Sequence, residues 1–216
     1  MILDRLQLWQ DSVKRSGPEA MAVDEWLLEK ASLPVLRIYQ WAGDWASLGY
    51  FGDLAEASRQ IRSVQWVRRR SGGGVVDHRS DWTYTLVVPI AWSMATLRGA
   101  ESYRQIHAAL AKALRTEGIS PELGTGESET GAALCFENPV CYDLVAPDGS
   151  KLAGAGQRRT KFGLLHQGSV ALPHARGRAE ALASALTDDW QSVDLFPPEE
   201  IIRAKARDRF PEVTID

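Results

Sequence analysis

Cysteine is scarce in this sequence: Cys135 and Cys141 are the whole supply in 216 residues. Two thiols cannot build the disulfide framework of a small secreted domain, and neither has the paired Cys or His spacing of a zinc site, so no metal is expected. Histidine is nearly as rare, with four residues. His107, in a helical stretch, and His174, near a strand end, read as ordinary structural or surface residues. An excess of one charge is missing too. A net charge of -3 and a pI near 5.9 leave no field that would draw the chain to nucleic acid or an anionic membrane. Long apolar runs are also absent. Asp4 and Arg5 interrupt MILDRLQLWQDS, the only stretch that resembles a signal core, and no later window is apolar enough for a membrane span. The expectation is a soluble, cytoplasmic protein with no nucleic-acid and no membrane partner.

What is present suits a folded domain. Hydrophobic residues make up 44% and charged ones 25%, as in one globular unit over residues 1–216. Gly17-Pro18 followed by EAMAVDEWLLEKA predicts a helix with proline in its first turn. Val35 to Trp41 and Ala46 to Phe51 predict adjacent strands across the turn Ala42-Gly43-Asp44. A helix from Leu54 to Ile61 and a strand from Val64 to Arg69 follow. Trp82 to Ile90 reads as a central strand, and Tyr103, Ile106, Leu110 and Leu114 form one face of a helix over Ser102 to Glu117. Leu123 to Ala132 lacks periodicity and reads as a surface loop. Cys141 to Ala146 and Lys151 to Arg159 flank Pro147-Asp148-Gly149 as a hairpin. A strand over Leu164 to Leu172 and helices over Arg178 to Leu186 and Pro198 to Arg209 complete the chain. The order predicts an α+β fold with a central, largely antiparallel (mixed) sheet flanked by helices. The eight tryptophans are expected to fill its core.

The most informative stretch is Arg68-Arg69-Arg70-Ser71-Gly72-Gly73-Gly74-Val75-Val76-Asp77-His78, where a strand meets three glycines directly after three cations. Backbone N–H groups in such a loop can approach a carbonyl or a phosphate closely, because no Cβ intervenes. It is neither a Walker A loop nor a dinucleotide fingerprint. On glycine content alone a flexible turn serves equally well.

The same stretch resembles the signature of the biotin and lipoate ligase and transferase superfamily, in its lipoyl branch. Met21 to Glu25, Pro34 to Tyr39, Ser47 to Phe51, Lys151 to Arg158 and His166 to Ser169 agree with that family in order and spacing. The resemblance implies the catalytic-domain fold of those enzymes and transfer of an octanoyl or lipoyl group to a lysine. It also implies a role for Lys151, whose ammonium would face the acyl carbonyl and stabilise an oxyanion. Acyl or substrate contacts are implied for Arg69, Ser71, Gly72, Gly73, Gly74, His78, Gly154, Ala155, Gln157 and Gly168, with the glycines of 154–156 leaving space for the acyl chain.

Leu134-Cys135-Phe136-Glu137-Asn138-Pro139, with Tyr142-Asp143-Leu144, is similar to the C-F-x-x-P and Y-E-L pattern of the cysteine octanoyltransferases. There Cys135 would be the nucleophile, since a thiolate exchanges readily with a thioester and a nearby cation favours its ionisation. Cys141 matches no catalytic position and reads as a small buried residue opening a strand. His78-Arg79-Ser80-Asp81 also follows the transferases, and the end at Asp216 is read as leaving no room for a ligase's accessory domain. Two features differ: the triple glycine is the ligase form, and Gln167 stands where the family has histidine, with His166 one place earlier. A one-residue shift turns a strand side chain to the other face.

The implied donor is acyl carrier protein, and the implied acceptor a lipoyl carrier domain such as the glycine-cleavage protein or a dehydrogenase subunit. Arg158, Arg159 and Lys161 are expected to meet an acidic carrier. No tightly bound cofactor is expected. Two alternatives stay open: an ATP-dependent lipoate ligase acting through lipoyl-adenylate with Mg, including one with a separate accessory subunit, and a non-catalytic acyl- or carrier-binding paralogue.

Overall fold

Strand residues alternate between two faces, and in this protein each face meets a different layer of helices. The computed structural model describes residues 2–126 and 140–213. Its elements are β1 (Leu6–Gln10), α1 (Gly17–Lys30), β2 (Val35–Tyr39), β3 (Trp45–Leu48), α2 (Leu54–Gln60), β4 (Gln65–Arg68), β5 (Val75–Asp77), β6 (Trp82–Pro89), α3 (Ser93–Thr96), α4 (Gly99–Arg115), β7 (Glu122–Leu123), β8 (Leu144–Val145), β9 (Lys151–Thr160), β10 (Gly163–Val170), α5 (Arg178–Leu186), β11 (Trp190–Ser192) and α6 (Glu199–Arg209). An eight-stranded sheet runs β11-β1-β2-β6-β10-β9-β8-β7, and a smaller one runs β4-β3-β5. In the large sheet β1 pairs parallel with β2 and β11, and its other pairs are antiparallel.

Trp82, Tyr84, Leu86 and Val88 of β6 share one core with Ile106 and Leu110 of α4, and Leu182 of α5 joins them. Val35, Val87 and Leu165 point the other way, onto Met21 and Leu27 of α1 and Ile202 of α6. Helix α1 is fixed at its start by a capping box. Ser16 Oγ accepts from the Glu19 N–H while Glu19 Oε2 accepts from the Ser16 N–H at 3.1 Å. This α+β arrangement, a mixed and largely antiparallel sheet between helices, is the architecture expected.

One expected pairing is corrected. Strands β2 and β3 are not neighbours: β2 lies between β1 and β6, so both of its edges are already hydrogen-bonded, and β3 leaves to form the centre of the small sheet. Cys141 is corrected as well. It is exposed and lies in a turn, and β8 begins only at Leu144. The cause is local, because Asp143 Oδ2 accepts the Val140 N–H at 2.8 Å and Tyr142 takes a φ of +70°. Among the described residues no helix is long and apolar enough to cross a membrane.

Candidate active site

The glycine loop joins β4 to β5 around the end of β3, and its own arginine stitches it together. Arg69 donates to Ser47 O at 3.0 Å, Ser47 Oγ at 2.6 Å, Gly72 O at 3.2 Å and Gly74 O at 3.0 Å. Gly73 has a φ of +97°, a conformation that favours glycine. Gly49 meets it from β3, so closely that a Cβ there would lie 1.8 Å from Gly73 O. Arg68 donates to the carbonyls of Gly49, Tyr50 and Gly52, which holds the neighbouring loop. Seven such bonds make this a fixed structure, where glycine content alone allowed a flexible turn.

Beneath the loop lies a narrow, partly open cavity. Arg69, Gly73, His78, Gly154, Ala155 and Gly168 line it, as does the apolar side chain of Met21. Its floor is polar. Ser71 Oγ donates to Gln167 Oε1 at 2.6 Å, Gln167 Nε2 donates to Asp24 Oδ2 at 2.8 Å, and Thr85 Oγ1 donates to the same oxygen. Arg37 Nη1 donates to Asp24 Oδ1 at 2.8 Å. Burial pushes the Asp24 carboxyl above its usual range, against the opposing pull of Arg37, Gln167 and Thr85.

A rigid wall closes one side. Arg69 donates to Ser47 Oγ, which lies 2.6 Å from His78 Nε2, while His78 Nδ1 lies 2.8 Å from Asp81 Oδ2. This order of donors assigns the ring proton to Nδ1. The His78 ring stacks on Trp41 at 4.1 Å, and Trp41 Nε1 donates to Thr83 Oγ1.

Lys151 lies against Gly154, one of the residues that line the cavity, with its side chain buried and Nζ 2.6 Å from Asp143 Oδ2. It lies across Gly154, where a Cβ would stand 2.6 Å from its Cε and 2.8 Å from its Nζ. A Cβ on Gly156 would meet Gly72 O at 2.3 Å. Residues of the protein therefore fill the spaces that were expected to receive an acyl chain; Ala155 and the backbones of both glycines still line the cavity.

The other expected residues divide between the two faces of the sheet. Gly72 and Gln157 border an open groove of ≈ 930 Å³ together with Tyr103 and Cys141. Gln157 and His166 are paired across β9 and β10 on the α4 face, while Gln167 takes the cavity face. Gln157 Oε1 accepts from Ser102 and Arg159, so its Nε2 donates to His166 Nδ1. Burial, with His107 and Arg159 nearby, holds His166 well below the usual histidine value. Arg159 thus serves this cluster, Arg158 lies 3.8 Å from Glu25, and Lys161 covers the Phe162 ring. Cys135 lies outside the described residues. Among the described residues no cluster of histidine, cysteine or carboxylate side chains could hold a metal ion.

Sequence reasoning left Met21, Asp24, Trp41, Thr83, Gln167 and Ser169 out of the site. A signal for three of them was present: Thr83, Gln167 and Ser169 are polar residues at alternating positions in otherwise apolar strands, as lining of a cavity on one face requires.

Comparison with known proteins agrees with this geometry. The lipoyl protein ligase A/B catalytic domain family matches residues 16–190. The octanoyltransferase LipM of Carboxydothermus hydrogenoformans is 34% identical over 178 residues, covering 77% of this chain and 66% of that protein. The LipM of an Exiguobacterium species is 29% identical over 216 residues, covering 93% and 73%. This chain spans about two thirds of the length of several such relatives. Among solved structures, a T. acidophilum protein with bound lipoic acid matches with a TM-score of 0.67 at 18% identity, covering 95% of this chain and 93% of that one. Lipoate-protein ligase A bound with ATP matches with a TM-score of 0.62 at 19% identity, over the same shares. At that identity the structures show a common fold.

Proposed function

Because this chain belongs to the family of lipoyl protein ligase A/B catalytic domains, we propose that it transfers an octanoyl group from an acyl carrier protein thioester, through Cys135, to a lysine of a lipoyl carrier domain. The observation that carries this reading is the buried side chain of Lys151, laid across Gly154, which lines a narrow, mostly apolar cavity. The names of the LipM relatives support the octanoyl chemistry. In the first step the Cys135 thiolate adds to the thioester carbonyl and the carrier thiolate leaves. In the second the acceptor amine adds to the enzyme thioester, loses its proton and expels the Cys135 thiolate. Each addition places negative charge on the acyl oxygen, and an ammonium fixed beforehand in a water-poor site stabilises it. No tightly bound cofactor enters these steps. ATP with Mg has a place only if a ligase route replaces them.

The test is transfer of octanoyl from octanoyl acyl carrier protein to an unmodified lipoyl domain without ATP, followed by mass spectrometry of the acceptor. Octanoylated acceptor is expected. Lys151→Met, which keeps the apolar stem and removes the charge, is expected to lower kcat by about 10²- to 10³-fold, the scale of losing one oxyanion donor. Modification only with free acid and ATP, or no modification with either donor, overturns the proposal.

A further inference from the structure

Tyr103 and His107 lie four residues apart on α4, so their rings share one face of the helix, with centroids 4.2 Å apart. Both act on the turn before β8. His107 Nδ1 lies 2.7 Å from Tyr142 O, and because a carbonyl only accepts, that nitrogen carries the ring proton. Burial holds His107 down to about 4, so its ring is neutral. The contact pins Tyr142 in the left-handed region, which is disfavoured for a bulky residue, and so sets the course of the chain into Asp143. Asp143 is fully buried and fully engaged. The Tyr103 hydroxyl donates to its Oδ1, and its Oδ2 accepts from the Val140 N–H and from Lys151. The Tyr103 oxygen in turn accepts the Ala155 N–H at 2.9 Å, which ties the cluster to the strand that lines the cavity.

We propose that Asp143 is the positioning residue of Lys151: clamped by Tyr103 and by the Tyr142 carbonyl that His107 holds, its carboxylate keeps the lysine side chain stretched across Gly154 beside the acyl cavity. This rests on the acyl-transfer reading, which makes Lys151 the partner of the oxyanion. A buried ion pair adds little to stability compared with apolar side chains of the same size. What this one supplies is a cation with a fixed place. The amine cannot settle toward the strand, because Gly154 is already in contact with it, and it cannot swing away without leaving the Asp143 carboxylate.

Among the described residues, the titratable groups near Lys151 are Asp143 from the turn and Tyr103 and His107 from α4, with His166 of β10 and Tyr84 of β6 beyond their rings. Octanoyl transfer is measured for the full chain, Asp143→Asn, Asp143→Glu and Tyr103→Phe. In parallel, the Lys151 side chain is followed by NMR of lysine-labelled protein, its signal assigned with Lys151→Arg. Asp143→Asn keeps the shape and removes the charge. It is expected to lower kcat by about 10²-fold, the effect of a misplaced group, with KM for the carrier little changed. The Lys151 side-chain signal should move and broaden as the amine loses its fixed place, and Asp143→Glu should restore part of both the rate and the signal. Tyr103→Phe should lower kcat less.

Matching Lys151 signals in wild type and Asp143→Asn, or wild-type kcat in Asp143→Asn, overturn the proposal. If Asp143→Asn does not fold, wild-type kcat in Tyr103→Phe counts against it. If wild type transfers no octanoyl, the functional reading fails, while the NMR comparison still decides whether Asp143 holds the lysine in place.

Discussion

Gly154 has no side chain because Lys151 lies where one would stand. A Cβ 2.6 Å from Cε cannot be accommodated without moving the lysine, and the lysine is held at its far end by Asp143. Gly154→Ala therefore tests placement apart from charge. The variant keeps every ionisable group, and its backbone is in an ordinary strand conformation, so folding should survive. We expect kcat for octanoyl transfer to drop by about 10²-fold, as for a group displaced by an ångström, with little change in the melting temperature. Steady-state kinetics beside a thermal melt checks this. Wild-type turnover would mean that the position of Lys151 is not critical. The sequence showed Lys151 and Gly154 as members of one motif. It could not show why the glycine is needed, because that depends on the path of a side chain three residues earlier.

The elements that make the site are a strand pair and a loop packed backbone to backbone. Gly49 in the turn after β3 and Gly73 in the glycine loop approach so closely that neither tolerates a methyl group. At Gly49 the obstacle is Gly73 O at 1.8 Å, and at Gly73 it is a φ of +97°. Gly49→Ala must push the loop away and with it Arg69. A loss of about 1–3 kcal/mol in urea unfolding is expected, the usual scale of overpacking, together with loss of transfer. An unchanged midpoint would contradict the packing described. Much at this scale was legible in the sequence: glycine runs and period-two alternation are local, so the loop, β6, β9 and β10 were readable. So was the turning of His166 away from the cavity, which follows from a shift of one residue. Which strand pairs with which is not local. Strand β3 looked like a partner for β2 because the two are consecutive, yet β1 and β6 already occupy both edges of β2. Asp143 was hidden for the same reason, since Tyr103 lies forty residues earlier in the chain and reaches it only through the packing of α4.

At the scale of the whole molecule, one polar chain, buried until its last member, links the site to elements near both ends of the described structure. It runs from Ser71 through Gln167 and Asp24 to Arg37, then through Asp11 to Arg15, which grips Glu199 at the start of α6. The C-terminal segment also returns to the glycine loop: Arg70 covers the Phe210 ring, and the Val213 N–H donates to Trp66 O on β4. A site assembled from so many elements keeps its geometry only while the whole fold is intact. Its residues were accordingly scattered in the sequence, and Met21, Asp24, Gln167 and Ser169 were not singled out although they stand in segments that resemble the family. The central claim concerns one atom outside the described residues. Octanoyl acyl carrier protein should be mixed with the protein in the absence of acceptor and the intact mass recorded. The account predicts an added octanoyl group that is absent from Cys135→Ser and is discharged when lipoyl domain is added. No adduct on the wild-type protein, alongside acceptor modification that requires ATP, would contradict it.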